Sequence, residues 1–442
     1  MKNRFLYIIF IFWAVVISTA QDIQPQQDVI PVKTRYGFAI NRLPVVNFNI
    51  YADFDPIKWY PRLYLAVAIQ NDVLQFKKDE KGFTARYQIS IAVRGEKGVV
   101  FKSTWKHSTS VKTFELTNSR SRFQYSAFPI KQIYPYDDVK IEPGRYNCLL
   151  EVRDLNAKTS YRSTREFNVP AADSLSKENP AASEITFIIS PPRDSLMKLY
   201  PTGRVLRFNQ QVYSFFRLKT GKPQDKPLDF NVRIFLKEKN QDILYYNTPL
   251  RIQPDSLSAA VLFKMPMDSL PEGDYLLRFE TELNDHIFSH ERDFSVIWFE
   301  KPVYLYRADL AIRPMRYVLS ADEFERVKSL SYDELTKWMD QYWRKRDPTP
   351  HTIYNELLAV FYERVQQANK KYSTRFQEGW ETDRGRILIL YGEPDEVINN
   401  RYAATSTPYI VWVYKKENQE FIFIDKNGTG EFTLLKKEDE EN

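Results

Sequence analysis

Two stretches of this chain close in the same way, and that duplication restricts the fold more than any other feature of the sequence. Glu142-Pro143-Gly144-Arg145-Tyr146-Asn147-Cys148-Leu149 is matched by Pro271-Glu272-Gly273-Asp274-Tyr275-Leu276-Leu277-Arg278. Each then runs through a polar turn, Asp154-Leu155-Asn156 or Leu283-Asn284-Asp285. Each ends on a related strand pattern, Arg165-Glu166-Phe167-Asn168-Val169 or Arg292-Asp293-Phe294-Ser295-Val296. Shared order and nearly shared spacing indicate a repeated module. A turn followed by Gly-x-Tyr opens a late strand in Ig-like sandwiches, where the tyrosine hydroxyl anchors the corner.

The segments between these markers alternate with period two. Ala85, Tyr87, Ile89, Ile91 and Val93 alternate with polar or small residues, and Phe230, Val232, Ile234 and Leu236 do the same. Such runs are half-buried strands. Gly95-Glu96-Lys97-Gly98 reads as a hairpin turn, with Val99 to Trp105 returning. At 442 residues the chain is long enough for about three domains. With 43% hydrophobic and 27% charged residues it is globular, and 15% aromatics suit strands.

Beyond Glu300 the period becomes helical. Ser320-Ala321-Asp322-Glu323 and Ser331-Tyr332-Asp333-Glu334 fit the capping box, in which hydroxyl and carboxylate satisfy the free amides of a helix start. Leu335, Trp338, Met339 and Tyr342 then share one helix face, which Pro348 ends. Thr349-Pro350 predicts the next helix start, with Ile353, Leu357, Val360, Phe361, Val365 and Ala368 as its buried stripe. Arg386 to Tyr391 alternates and reads as a strand closed by Gly392 and Pro394. Ile410 to Tyr414, Phe421 to Asp425 and Phe432 to Leu435 read as further strands, with Lys426 to Gly430 as a turn.

The fold expected is therefore multidomain and mostly β: two tandem Ig-like or fibronectin-like β-sandwiches, then a C-terminal α+β domain of a helical hairpin and a small antiparallel sheet. The expected division is a signal peptide at 1–20, an extended lead at 21–43, sandwiches at 44–170 and 184–299, a linker at 171–183, the α+β domain at 300–437 and a frayed tail at 438–442. Lys2 and Arg4 before the apolar run Phe5 to Ile17, with Ser18-Thr19-Ala20 following, give the pattern of an export signal. With those two charges removed, the net charge falls from +6 to +4, too dilute for nucleic acid. No later stretch reaches the ~18 apolar residues of a membrane span. The lone Cys148 excludes an internal disulfide and reads as a buried, inert thiol.

Several separated motifs in the last third agree in order. They are Tyr342-Trp343-Arg344-Lys345-Arg346-Asp347-Pro348-Thr349-Pro350, then Asn355-Glu356, then Arg364 with Ala368-Asn369, then Gly379-Trp380-Glu381-Thr382-Asp383-Arg384-Gly385, then Tyr391-Gly392-Glu393-Pro394-Asp395. Over residues 322 to 435 the chain resembles the GWxTD-domain family of exported bacterial proteins. The resemblance implies the domain; it implies no catalytic residue, because the family's biochemical role is poorly defined.

Arg346, Asp347, Asn355, Glu356, Arg364, Trp380, Thr382, Asp383 and Arg384 form the candidate site. One reading makes them a pocket in which arginines tune carboxylates. The other makes them a network joining helices to sheet, with Thr382 or Asp383 capping amides and Trp380 filling the core. The second is favoured, because the set contains no acid/base pair with separable roles. No metal or cofactor pattern stands out: His286 and His290 are close but placed on a strand facing solvent, and Glu393, Asp395 and Glu396 sit in a turn. Trp59, Tyr60 and Trp105 could stack on sugars or fill cores. The expected function is a non-enzymatic interaction or scaffold protein of the bacterial envelope. It would be periplasmic or peripherally associated with the outer membrane, with other envelope proteins as partners. The alternatives are a hydrolase or glycan-processing enzyme using the Arg/Asp/Glu cluster, and a carbohydrate-binding protein acting through the sandwiches.

Overall fold

The computed structural model describes residues 24, 25, 27–54, 61–80, 82–119, 122–132, 141–169, 180–192, 197–400 and 407–435. The expected signal segment at 1–20, Trp59 and Tyr60, most of the expected linker and the terminal tail lie outside these residues. The chain divides into two compact units, Met1–Glu300 and Lys301–Asn442.

The first unit holds two β modules. In the first, β1 (Val46–Phe54), β2 (Pro61–Gln70) and β5 (Phe123–Gln132) form one sheet. In the other sheet, β7 (Ser160–Val169), β6 (Gly144–Asp154), β3 (Gly82–Gly95) and β4 (Gly98–Val111) lie side by side in that order. Alternate residues of β3, Ala85, Tyr87, Ile89, Ile91 and Val93, are buried, as their period requires. They meet Phe48, Leu65 and Val67 from the other sheet in one core. Cys148 lies in that core, where burial pushes its thiol up to about 12.

The second module has the same arrangement. Its shorter sheet is β8 (Thr186–Ile188), β10 (Tyr213–Lys219) and β13 (Ser258–Lys264). Its longer sheet runs in the order β9 (Val205–Arg207), β15 (His286–Ile297), β14 (Gly273–Leu283), β11 (Leu228–Lys237) and β12 (Asp242–Ile252). Each long sheet also carries a parallel strand at one edge: β9 on β15, and Gln24–Pro25 on β7.

The matched tyrosines occupy matched positions. Tyr146 pairs across the ladder with Phe167, and Tyr275 with Phe294. Both rings stack on those partners, at 5.7 and 5.2 Å. Tyr146 Oη donates to Glu142 O at 2.6 Å, and Tyr275 Oη donates to Pro271 O at 2.8 Å, each four residues back along the chain. The hydroxyl thus ties the turn to the strand that follows it.

A buried seam joins the modules. Tyr51, Tyr64 and Ala66 pack with Ile188, Met197, Leu199 and Phe215. Asp53, fully buried, pairs with Arg217 at 3.0 Å, and Asn49 Nδ2 donates to Tyr200 O at 3.0 Å. Ala181–Ala182 pairs with β10, and Ser183 Oγ lies 2.7 Å from Tyr51 Oη. His290 is half-buried rather than solvent-facing: its Nε2 lies 2.8 Å from Ser183 O, its ring packs edge-on to Phe216, and burial lowers its pKa. Trp105 packs against the first module's core.

In the second unit, α1 (Ala321–Lys328), α2 (Tyr332–Arg344), α3 (Glu356–Tyr372) and α4 (Asp383–Tyr391) precede an antiparallel sheet. Its strands β16 (Glu396–Asn400), β17 (Tyr409–Tyr414), β18 (Gln419–Ile424) and β19 (Thr433–Leu434) follow in sequence order. The reciprocal capping box forms at Ser331 and Glu334, while Ser320 contributes its hydroxyl alone. Along α2, Trp343 is buried with Leu335, Met339 and Tyr342, and Trp338 is only partly covered.

Two expectations are corrected. Helix α3 begins at Glu356, not at Thr349-Pro350, because Asn355 Oδ1 caps Leu358 N at 2.9 Å while Thr349 to Thr352 close a separate turn. Its buried face is Ala359, Phe361, Tyr362, Val365 and Ala368, which leaves Ile353, Leu357 and Val360 exposed. The run Arg386 to Tyr391 is the helix α4 and not a strand. Ile387, Leu388 and Ile389 are all buried, so no polar face betrays the helical period. Among the described residues no helix is long and apolar enough to cross a membrane.

The tyrosine corners make a paired prediction. Tyr146→Phe and Tyr275→Phe each strand one carbonyl and should each lower stability by about 1 kcal/mol in denaturant unfolding. A neutral outcome at both positions would show that the hydroxyls do not hold the corners.

Candidate functional site

The Gly379 to Gly385 segment lies where three pieces of backbone touch. A Cβ on Gly379 would sit 2.1 Å from Ala368 O of α3, and one on Gly385 would sit 1.9 Å from Gly379 O. Both distances are far inside van der Waals contact, so only glycine permits the stack. Helix α3, the Gly379–Glu381 turn and the first turn of α4 are thereby held backbone on backbone.

The side chains of the segment complete this joint. Thr382 Oγ1 donates to Gly379 O at 2.7 Å and accepts from Gly385 N at 3.0 Å, so one hydroxyl closes the turn and caps α4. Trp380 is 1% exposed. Its backbone N donates to Asn369 Oδ1 at 3.1 Å, and its Nε1 donates to Glu378 Oε2 at 2.5 Å. The same Glu378 oxygen accepts from Tyr304 Oη, which in turn accepts from Asn369 Nδ2 at 3.0 Å. Tyr317 Oη donates to Trp380 O at 3.0 Å, and burial raises that phenol's pKa. The guanidinium carbons of Arg313 and Arg316 lie 5.7 and 5.6 Å from the Trp380 ring centre.

Asp383 links helix to sheet. Its Oδ2 accepts from Leu434 N of β19 at 2.9 Å, and its Oδ1 pairs with Arg386 at 3.2 Å across a partly exposed i,i+3 contact. The aspartate therefore holds a strand amide with one oxygen and the Arg386 guanidinium with the other. Arg384 spreads its guanidinium between Tyr372 at 4.8 Å and Phe432 at 4.9 Å.

The remaining candidates lie in other sets. Arg346 covers the Tyr342 ring at 3.6 Å and donates to Tyr342 O at 3.1 Å. Asp347 Oδ1 accepts from Thr349 N, and Thr349 Oγ1 donates to Glu356 at 2.7 Å. Asn355 Nδ2 donates to Trp343 O at 2.8 Å, tying the start of α3 to the end of α2. Arg364 donates to Ile389 O and Leu390 O, at 3.0 and 3.3 Å, satisfying the last carbonyls of α4. Gly392, at φ +86°, passes so close to it that a Cβ would lie 2.8 Å from Arg364 Nη2. The nine candidates thus hold three different joints: Arg346, Asp347, Asn355 and Glu356 at the α2 to α3 corner, Arg364 at the end of α4, and the other four at its start.

Sequence reasoning passed over Tyr304, Tyr317 and Glu378. Glu378 adjoins the Gly-Trp pair but carries no motif, and the two tyrosines are more than 60 positions upstream of Trp380. Glu393 pairs with Lys371, Glu396 pairs with Lys415 at 3.2 Å, and Asp395 Oδ2 accepts from Lys415 N at 2.8 Å. Among the described residues, no group of three or more His, Cys, Asp or Glu side chains is placed to hold a metal.

Substitutions that enter the joint should be costly. Gly385→Ala forces a methyl into the Gly379 carbonyl and should cost at least about 3 kcal/mol. Trp380→Ala empties a buried aromatic site and should cost about 3 to 5 kcal/mol. Thermal unfolding of the full chain reads both; a wild-type-like melt for either variant would contradict the joint.

Residues 289–441 match the family model of the GWxTD domain. No curated protein matches the chain. Among solved structures, a β-glucosidase from Listeria innocua in complex with gluconolactone aligns at 11% identity over 26% of this chain and 16% of that one. Its TM-score is 0.16, too low to bear on fold or function.

Proposed function

Starting from the GWxTD domain carried by residues 289–441, we propose that this protein is an exported, non-enzymatic scaffold or interaction protein of the bacterial cell envelope. The observation that carries the proposal is the use made of the signature's polar atoms. Thr382 caps a helix, Asp383 holds a strand amide, and the Trp380 indole is bonded to Glu378. Groups committed in this way position backbone; they are not left facing a substrate.

On this reading the two β modules are tandem Ig-like or fibronectin-like sandwiches, duplicated from one ancestor. Their matching strand orders and corner tyrosines support that assignment. The buried seam makes the pair a rigid spacer, and the α+β domain is the partner-binding or structural unit. The apolar run after Lys2 and Arg4 supports export, with a periplasmic or outer-membrane-associated destination and other envelope proteins as partners.

Complementation of a deletion strain tests the role of the signature. Asp383→Asn keeps an oxygen for Leu434 N, so a scaffold should melt within about 1 kcal/mol of wild type and restore function fully. A variant that folds and localises normally but restores nothing would point to chemistry at Asp383. Recovery of the full-length precursor from the cytoplasm would contradict the envelope assignment.

A further inference from the structure

The seam between the two β modules has a second fastening, supplied by the segment that precedes β1. The segment before the first module lays Gln24–Pro25 parallel to β7, opposite Ser163 and Thr164. It then places the Asp28 carboxylate between two arginines from different modules. Oδ1 pairs with Arg165 of β7 at 3.0 Å, and Oδ2 pairs with Arg204, just before β9, at 3.0 Å.

We propose that Gln24–Pro25 and Asp28 form a strap across the inter-module seam, with the Asp28 carboxylate as its buckle, and that the strap limits how far the modules rotate about that seam.

Three features support a strap over an incidental surface contact. First, the arginine on the first module is not an ordinary surface cation. The Arg165 side chain is 17% exposed, its guanidinium lies 5.9 Å from the Phe48 ring centre, and burial lowers its pKa while Asp28 opposes the shift. A desolvated cation needs its counter-charge more than an exposed one does. Second, the loop of the second module is shaped to approach it. Gly203 has φ +65°, a conformation that favours glycine, and a Cβ there would lie 2.6 Å from Arg165 Nη1, so the loop backbone runs directly against the guanidinium. Third, two like charges, Arg165 and Arg204, are brought toward each other at this point, and Asp28 is the carboxylate placed between them. Most of the direct bonds of the seam run from β1 and β5 to residues 183–217, for example Asp53 to Arg217 and Tyr125 to Leu199, while at the β7 edge Asn168 Nδ2 donates to Glu184 at 3.3 Å. The strap closes the seam at the β7 edge, where without it the two cations would repel and favour opening.

Pulsed electron paramagnetic resonance between one nitroxide on each module tests this directly. Cys148→Ser removes the native thiol, and Lys106→Cys on β4 with Arg251→Cys on β12 supplies the labels in the full chain. Asp28→Asn removes the charge at constant shape, and Arg204→Gln cuts the strap from the second module alone. Arg204 is 56% exposed, so that variant leaves the core intact. A strap predicts that both substitutions broaden the inter-module distance distribution relative to the parent, with the melting of each module retained. An unchanged width in either variant overturns it. Broadening with Asp28→Asn alone would therefore also overturn it, because the effect would not run through the Arg204 contact to the second module.

Discussion

The C-terminal unit depends on one constraint: the Ala368 carbonyl against Gly379, and the Gly379 carbonyl against Gly385. A backbone stack of this kind excludes every side chain larger than hydrogen at two positions. It also brings the first turn of α4 onto the middle of the fold, where its free amides need partners. Thr382 supplies one, and the same hydroxyl closes the turn before it. Trp380 fills the space beside the stack, and its indole nitrogen is satisfied by Glu378. Asp383, one residue into the helix, reaches across to Leu434 and fixes the last strand. Glycine, tryptophan, threonine and aspartate at this spacing therefore follow from one packing problem.

The first unit solves a different problem, that of holding two sandwich-like modules together. Its seam combines an apolar cluster with a carboxylate that is wholly removed from solvent, Asp53, and its partner Arg217. Such a pair contributes little net stability, since desolvation offsets the attraction, but breaking it by removing one partner is expensive. It therefore selects one arrangement of the modules against others. The tyrosine corners act similarly within each module, fixing where a turn ends and a strand begins.

Much of this was legible in the sequence, and each exception has a physical cause. The strands of the long sheets alternate because one face of each sheet meets a core and the other meets water, as at Ala85 to Val93. The repeated Gly-x-Tyr turn announced itself because its tyrosine hydroxyl bonds only four residues away. Helix α4 was misread because Ile387, Leu388 and Ile389 are all buried, which erases the polar face that defines helical periodicity. The candidate site was only partly legible. The partners of its residues are backbone groups such as Leu434 N and Ile389 O, or side chains far away in the sequence such as Tyr317. Backbone amides and carbonyls carry no sequence signal, so a list of charged residues could not be divided into the three joints that they serve.

The central claim is that the signature is a joint on which the C-terminal unit depends as a whole. Native-state hydrogen exchange on the unmodified full chain measures this without a substitution. The amides of Trp380, Gly385, Arg386 and Leu434 donate to Asn369, Thr382 and Asp383 at the joint. If the joint is what holds the unit together, all four should exchange only through its global unfolding, with the same free energy and denaturant dependence as its slowest core amides. Exchange of these amides through a local opening, at a free energy well below that of the core, would contradict the account.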